Sequence, residues 1–239
     1  TVTLYESELG RKQAELDFLR SQINPHFLYN TLDAIVWLAE AGEQKKVVSM
    51  VGSLSDFFRI SLNQGQDILD VKEELQHVRS YLEIQQMRYQ DILQYEICVP
   101  EELNHCQIPK ITLQPLVENA IFHGIEPKGC AGHIRIHVGY ETSDNTEKIR
   151  IDVTDDGVGM TADKAAQVLR SNDDSSADFF REIGVSNVHK RLQYQFGAEY
   201  GITIESKEGE YTTMSIHIPN IPLHNNETVS SETISSENT

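Results

Sequence analysis

His26 lies in the run Asn24-Pro25-His26-Phe27-Leu28-Tyr29-Asn30-Thr31-Leu32. A neutral imidazole carries a ring-nitrogen lone pair able to attack phosphorus, and imidazoles are substantially neutral near cytoplasmic pH. Such a residue needs access rather than activation. Asn30 falls one helical turn beyond His26, on the same face, where its side chain can orient the ring. Farther along, Glu118-Asn119-Ala120-Ile121-Phe122-His123-Gly124 sets a carboxylate beside an amide carbonyl. These are hard oxygen donors suited to Mg2+, which would neutralise the charge of a phosphate-bearing ligand. His123, one turn on from Asn119, is in reach of a phosphate. Asp155-Asp156-Gly157-Val158-Gly159 directly follows a segment of strand character. Turns after strands use Asp and Gly for backbone reasons alone, so the motif is weak by itself. Its force comes from position: a strand, an acid, then glycines where a ligand could approach the backbone.

The elements that must hold these groups follow from the apolar spacing. Val2, Leu9, Leu16 and Ile23 recur at strict sevens, with Tyr5, Lys12, Leu19 and His26 three residues later, which predicts a short coiled-coil seam. Lys12 interrupts it, and an ordinary amphipathic helix is the alternative. Continued through Pro25, the seam would turn His26 inward; a proline kink would rotate it out. Phe27 to Ala41 predicts a helix with a wide apolar face, stopped by Gly42, and a second helix follows over about 44–62. Two helices cannot bury that much apolar surface alone, so the hairpin is expected to dimerise into a four-helix bundle.

Asn63 to Asp67 breaks the pattern and marks a boundary. Asp70 with Glu73 makes a capping-box-like start for a helix reaching about Arg88. Strands are expected at 92–99, 134–140, 149–153, 202–204 and 214–218, with helices at about 113–123, 162–170 and 185–196 between them. The fold class is therefore α+β: a helical region over 1–69, then a mixed sheet covered by helices on one face over 70–219. A Ser/Thr/Asn/Glu-rich tail over 220–239 is expected to be disordered.

At 239 residues, with 39% hydrophobic and 24% charged residues, the chain has the balance of a globular protein and enough apolar material for two small cores. No run approaches a membrane span, and the absence of an initiator Met or leader suggests a piece of something longer. Twenty basic against thirty-seven acidic residues leave a net charge of −17, which argues against nucleic-acid binding. An anionic substrate such as ATP would have to be held against that field by a metal ion, a helix N-terminus or backbone amides. Three cysteines fit a reducing compartment, and a cytoplasmic location is expected.

Taken together, the His26 run, Glu118 to Gly124 and Asp155 to Met160 resemble the phosphoacceptor segment, N box and first glycine box of the LytS/YesM-like sensor histidine kinases, over about residues 20–218. The resemblance implies a GHKL-type α/β sandwich, an ATP and Mg2+ requirement, a homodimer and an aspartate on a response-regulator receiver domain as phosphoryl acceptor. It also implies a sensor and membrane helices upstream, making this the cytoplasmic portion of a bacterial membrane protein. Residue by residue, it makes His26 the phosphoacceptor, Asn119 the metal ligand and Glu118 its supporting or basic partner. Asp155 would accept the adenine amino hydrogen bond, while Gly157 and Gly159 let base and sugar lie close. Asp156 stands where the family more often has Asn.

Residues 161–183 resemble a lid, leading into Ile183-Gly184-Val185-Ser186-Asn187, which is similar to the second glycine box, where a helix N-terminus faces the phosphates. There the chain departs from the pattern, because Glu182 takes the place of a glycine. A carboxylate at that point predicts weaker ATP affinity or slow lid closure.

Three other readings compete. An ATP-hydrolysing machine of the gyrase, Hsp90 or MutL sort would need a glutamate four residues before Asn119, and Pro115 stands there. A non-catalytic dimeric scaffold with a degenerate nucleotide site is favoured only by Glu182. A zinc site from His105-Cys106 and Cys130-x-x-His133 matches no compact zinc module.

Overall fold

A computed structural model describes residues 25–62, 67–89, 92–143, 146–170 and 179–222. The heptad seam, the middle of the lid, residues 63–66 of the predicted boundary and the tail beyond Pro222 lie outside these. Helix α1 runs Pro25–Glu40 and α2 Gln44–Ser61. Gly42 has φ +77°, a left-handed value that glycine adopts without a Cβ penalty, and it ends α1 as its position in the sequence predicts. Strand β1 (Ile68–Asp70) leads into α3 (Val71–Arg88). The Asp70 carboxylate accepts the Glu73 amide at 2.7 Å, which caps the first turn.

After α3 come β2 (Leu93–Cys98), β3 (Gln107–Pro109), α4 (Gln114–Asn119), β4 (Gly132–Ser143), β5 (Thr146–Asp155), α5 (Ala162–Arg170), α6 (Phe179–Phe196), β6 (Gly201–Lys207) and β7 (Tyr211–Pro219). Five strands form a mixed sheet in the order β2-β4-β5-β7-β6. Only β2 and β4 run parallel; the other pairs are antiparallel. The period of two along each strand places one apolar row inward. Ile136, Val153 and Met214 stand in register across β4, β5 and β7, as do Val138, Ile151 and Ile216, and all six are buried. The opposite face carries Arg150, Asp152, His217 and Thr203, which are not buried. Helices α3, α4 and α6 contribute Val78, Leu116, Val185 and Leu192 to the core against the apolar face. This is the α+β sandwich that alternation predicts. A two-stranded sheet, β1 antiparallel to β3, escaped the sequence reading because each strand has only three residues.

Three expectations need correction. The helix predicted over 113–123 is α-helical only to Asn119; Ala120–Ile125 then widens into a π-helical turn. Pro127 has no N–H to offer, so a regular i to i−4 ladder cannot continue through it. The helix predicted from 185 begins at Phe179. Gly184 is therefore an interior helix position and not beside a helix N-terminus; a Cβ there would sit 3.1 Å from Cβ of Pro115, so the small residue lets α6 lie close on α4.

The hairpin is also not isolated from the rest of the chain. Phe27 of α1 and Phe57 of α2 lie in one core with Tyr81 of α3, the Phe27 and Tyr81 ring centroids 5.1 Å apart. Phe57 stacks on His77 at 4.6 Å, and Ser53 donates to Glu83 at 2.6 Å. Only one side of the hairpin is used in this way. Leu32, Val36, Trp37, Val48 and Val51 stay exposed, Trp37 by 77%.

Candidate functional site

His26 occupies the first turn of α1, one residue after Pro25, whose fixed φ and missing N–H suit a helix start. It is exposed, and the Asn30 amide nitrogen lies 3.2 Å from its Nδ1 and 3.1 Å from its Nε2. The predicted pairing on one helical face is therefore formed. Both residues open onto a cavity of about 270 Å3 whose far side is Tyr81, Gln85 and Arg88 of α3, together with Phe122 and Glu126. Phe122 lies on the π-helical turn that follows Asn119, so His26 and the Glu118–Gly124 segment of the same chain line one space.

The N box itself is built on α4. Pro115 sits in the first turn of that helix, where no N–H is needed. Asn119 is 6% exposed, while Glu118 is half-buried and accepts from the Gln114 side chain at 2.8 Å. Glu118 also acts through space on Tyr81. Burial first, and the Glu118 charge second, hold the Tyr81 hydroxyl well above its ordinary pKa. His123 is half-buried on the π-helical turn.

Asp155 ends β5 and is 2% exposed. Its carboxylate accepts the Gly157 amide at 2.9 Å. Burial pushes its pKa up to about 7, with the neighbouring Asp156 charge adding to the rise and the Gly157 amide and Lys128 opposing it. Asp156 itself accepts from the His133 amide at 2.8 Å and pairs with Lys128 at 3.2 Å, so it braces the loop. The glycines have a packing reason that the motif did not disclose. A Cβ at Gly124 would overlap the Asp155 carboxylate, one at Gly157 would overlap the Gly124 backbone, and one at Gly159 the Lys207 carbonyl. Val158 donates to the Gly124 carbonyl at 3.0 Å. The close approach is thus chain upon chain: at Gly157 it clamps the N box onto the Asp155 loop, and at Gly159 it seats that loop on the turn after β6. Asn187 is exposed on α6, and the side chain of Glu182 lies outside the described residues.

Sequence reasoning missed a second clamp. Glu74 of α3 is fully buried and accepts from the amides of Ile111, Thr112 and Leu113 at 3.0, 2.7 and 2.8 Å. Arg191 of α6 donates from the other side to the Ile111 carbonyl and the Thr112 hydroxyl, both at 3.0 Å. Between them Ile111 has φ +56°, a strained value for a β-branched residue. This loop leads directly into α4, so Glu74 and Arg191 set where the N box begins. The one available signal was Arg191 itself, four residues beyond Asn187.

The donor set fits ATP with Mg2+. Glu118 and Asn119 carry three side-chain oxygens between them, one of which already accepts from Gln114, so the phosphates would have to supply much of the coordination. Asp155 offers a buried carboxylate whose acceptor oxygens match an exocyclic amine. No group of three or more His, Cys, Asp or Glu side chains able to hold a metal forms among the described residues. Of the residues weighed for zinc, Cys106 is buried and donates to Asn220, while Cys130 is exposed.

Comparison with known proteins bears directly on this arrangement. The family model described as Histidine kinase matches residues 14–93, and that described as Histidine kinase-, DNA gyrase B-, and HSP90-like ATPase matches residues 109–222. The chain belongs to the histidine kinase family. It is 40% identical to the sensor histidine kinase YesM of Bacillus subtilis (strain 168), over 90% of this chain and 35% of YesM. It is 31% identical to the sensor histidine kinase BtsS of Escherichia coli (strain K12), over 87% of this chain and 34% of BtsS. It is also 31% identical to YwpD of Bacillus subtilis (strain 168), over 85% of this chain and 70% of YwpD. The chain thus spans about a third of the length of YesM and BtsS.

Proposed function

We propose that this chain is the kinase core of a two-component sensor: His26 takes the γ-phosphoryl group of ATP and passes it to an aspartate of a response-regulator receiver domain. The observation that carries this reading is the shared cavity, which sets His26 and Asn30 opposite the turn that extends the N box. In the step itself, a ring-nitrogen lone pair of His26 forms the N–P bond. The bond from the γ-phosphorus to the β–γ bridging oxygen breaks, and ADP leaves with that electron pair. Asn30 orients the ring, Asp155 fixes the adenine, and Glu118 with Asn119 holds the metal side of the nucleotide. Mg2+, when bound there, offsets phosphate charge that the acidic chain would otherwise repel.

The second partner is another copy of the chain, covering the exposed Trp37 face of the hairpin and completing a four-helix bundle. Membrane attachment would come from a region outside this chain; no described helix is long and apolar enough to cross a membrane. The ATPase reading loses ground because Pro115 is packed against Gly184 and carries no base.

The test is incubation with γ-labelled ATP and Mg2+ beside His26→Gln. Acid-labile, alkali-stable label on the parent and none on the variant is the expected result. Equal labelling of both would remove His26 from the reaction. Nucleotide bound without any label on either protein would favour a signal-gated or degenerate module.

A further inference from the structure

The cavity beside His26 is rich in hydrogen-bond donors. Gln85 is fully buried, and its amide nitrogen donates to the Tyr81 hydroxyl at 2.7 Å. Tyr81 is 1% exposed, and a hydroxyl that accepts in this way keeps its own proton to donate. Arg88 donates to the Gln85 carbonyl oxygen at 2.9 Å, which fixes its guanidinium at the cavity wall and leaves further N–H groups for another acceptor. The Asn30 amide sits over the imidazole edge. Against these donors stand the Glu126 carboxylate in the wall, the field of Glu118 on Tyr81 and, in the adjoining cleft that Arg88 also lines, Asp33.

A relay of this kind, Arg88 to Gln85 to Tyr81, is more than helix packing requires, since a buried glutamine and tyrosine could be replaced by apolar residues of like size. Its geometry presents one fixed cation and a phenol to a space of about 270 Å3 that His26 also lines. A histidine bearing a phosphoryl group would bring a dianion into a chain of net charge −17. It needs a local counter-charge, and arginine is the side chain best suited to phosphate oxygens.

We propose that this cavity is the binding site for the phosphoryl group of phospho-His26, with Arg88 as its counter-charge and Tyr81 and Asn30 as hydrogen-bond donors. The assignment rests on the kinase reading for its biological use, but not for its chemistry. By holding the group away from water, the site preserves the phosphohistidine until a receiver aspartate takes it.

The test separates the two ideas by using two phosphoryl donors, ATP and phosphoramidate. With phosphoramidate, the N–P bond to His26 forms as the donor's own P–N bond breaks and ammonia leaves, so no nucleotide site is needed. The phosphorus resonance missing from His26→Gln identifies phospho-His26, and its decay is followed after the donor is removed. Arg88→Met should shorten the phosphohistidine half-life about tenfold, the scale of one lost charge-assisted hydrogen bond, and shift the resonance. Arg88→Lys should restore part of both, and Tyr81→Phe, which keeps the ring packing, should give a smaller change. An unchanged half-life and resonance in Arg88→Met and Tyr81→Phe would overturn the pocket while leaving ATP-dependent labelling intact. Arg88-dependent chemical label without any label from ATP would support the pocket and overturn the kinase reading.

Discussion

Glu74 and Arg191 grip one short loop between them: the carboxylate takes the amides of Ile111, Thr112 and Leu113, and the guanidinium takes the Ile111 carbonyl and the Thr112 hydroxyl. The two lie on α3 and α6, helices far apart in the chain, and what they hold is the entry to the N box. Burial pushes the Glu74 carboxyl up while the three amides pull it down. Glu74→Gln removes the charge and at least one acceptor. It should cost about 2–3 kcal/mol of stability, the range for hydrogen bonds to a charged group. Urea unfolding would measure that loss. Arg191→Met should leave the fold nearly as stable, because much of the residue is open to solvent, but should raise the KM for ATP more than it lowers kcat. Equal effects on both quantities would mean that Arg191 does not position the N box.

Asp155 and His77 give stability opposite dependences on pH. Burial raises Asp155 from the ordinary carboxylate value to about 7, so between roughly pH 4 and 7 the folded state holds a proton that the unfolded state has lost. Its contribution is fully present in acid and falls as pH rises through 7. Burial lowers His77 to about 4, with Lys110 adding to the fall, and its Nδ1 has no hydrogen-bond partner among the described residues. Its contribution is present above the unfolded imidazole value and is lost as pH falls toward 4. From pH 5 to 7, Asp155→Asn should remove a loss of about 2–3 kcal/mol that the parent suffers, at 1.4 kcal/mol per pH unit. His77→Leu should remove an opposing gain of similar scale from the parent's curve. Unfolding midpoints at pH 5, 6 and 7 for the three proteins test both signs.

The clamp of the N box onto the Asp155 loop depends on glycines, and alanine scanning reads it out. Gly124→Ala and Gly157→Ala would drive a methyl into carboxylate or backbone and should each cost about 2–3 kcal/mol, the scale of overpacking. ATP affinity should fall with them. Gly52→Ala is the contrasting case. Gly52 is an exposed position within α2 with nothing near its missing Cβ, so alanine there should add about 0.5–1 kcal/mol through helix propensity alone. Thermal unfolding of the three variants would rank them.

The hairpin's outer face gives a prediction about assembly. Trp37, Val48 and Val51 are exposed, and a second copy of the chain would cover them. Trp37→Ala should weaken self-association by about 2 kcal/mol or more, the scale of an aromatic anchor, without lowering monomer stability. Sedimentation across a concentration series measures it. A parent chain that stays monomeric at high concentration would leave that face to another partner.

Much of this was legible along the chain because the causes are local. His26 and Asn30 meet because they are one helical turn apart. Asp70 caps α3 because the backbone amide three residues on falls within reach of its carboxylate, and the five sheet strands announce themselves by alternation. The boundary near Asn63, by contrast, read as a division between cores, yet Phe27, Phe57 and Tyr81 share one. A break in helical pattern says where an element ends, not what it packs against. The second glycine box likewise read as a helix start. The helix begins six residues earlier because the residues before Gly184 can continue it, and Gly184 can face Pro115 closely.

What the sequence by itself determined was the inventory: an imidazole at a helix start, oxygen donors, a carboxylate after a strand, and the helices and strands that carry them. Only the tertiary structure decided which distant groups meet. Glu74 finds its amides 37 to 39 residues away, Arg191 reaches back 80 residues, and Arg88 comes to share a cavity with His26. Periodicity and turn chemistry act over a few residues. Burial of the sheet's apolar face brings α3, α4 and α6 together, and that packing, not any spacing in the chain, assembles the site.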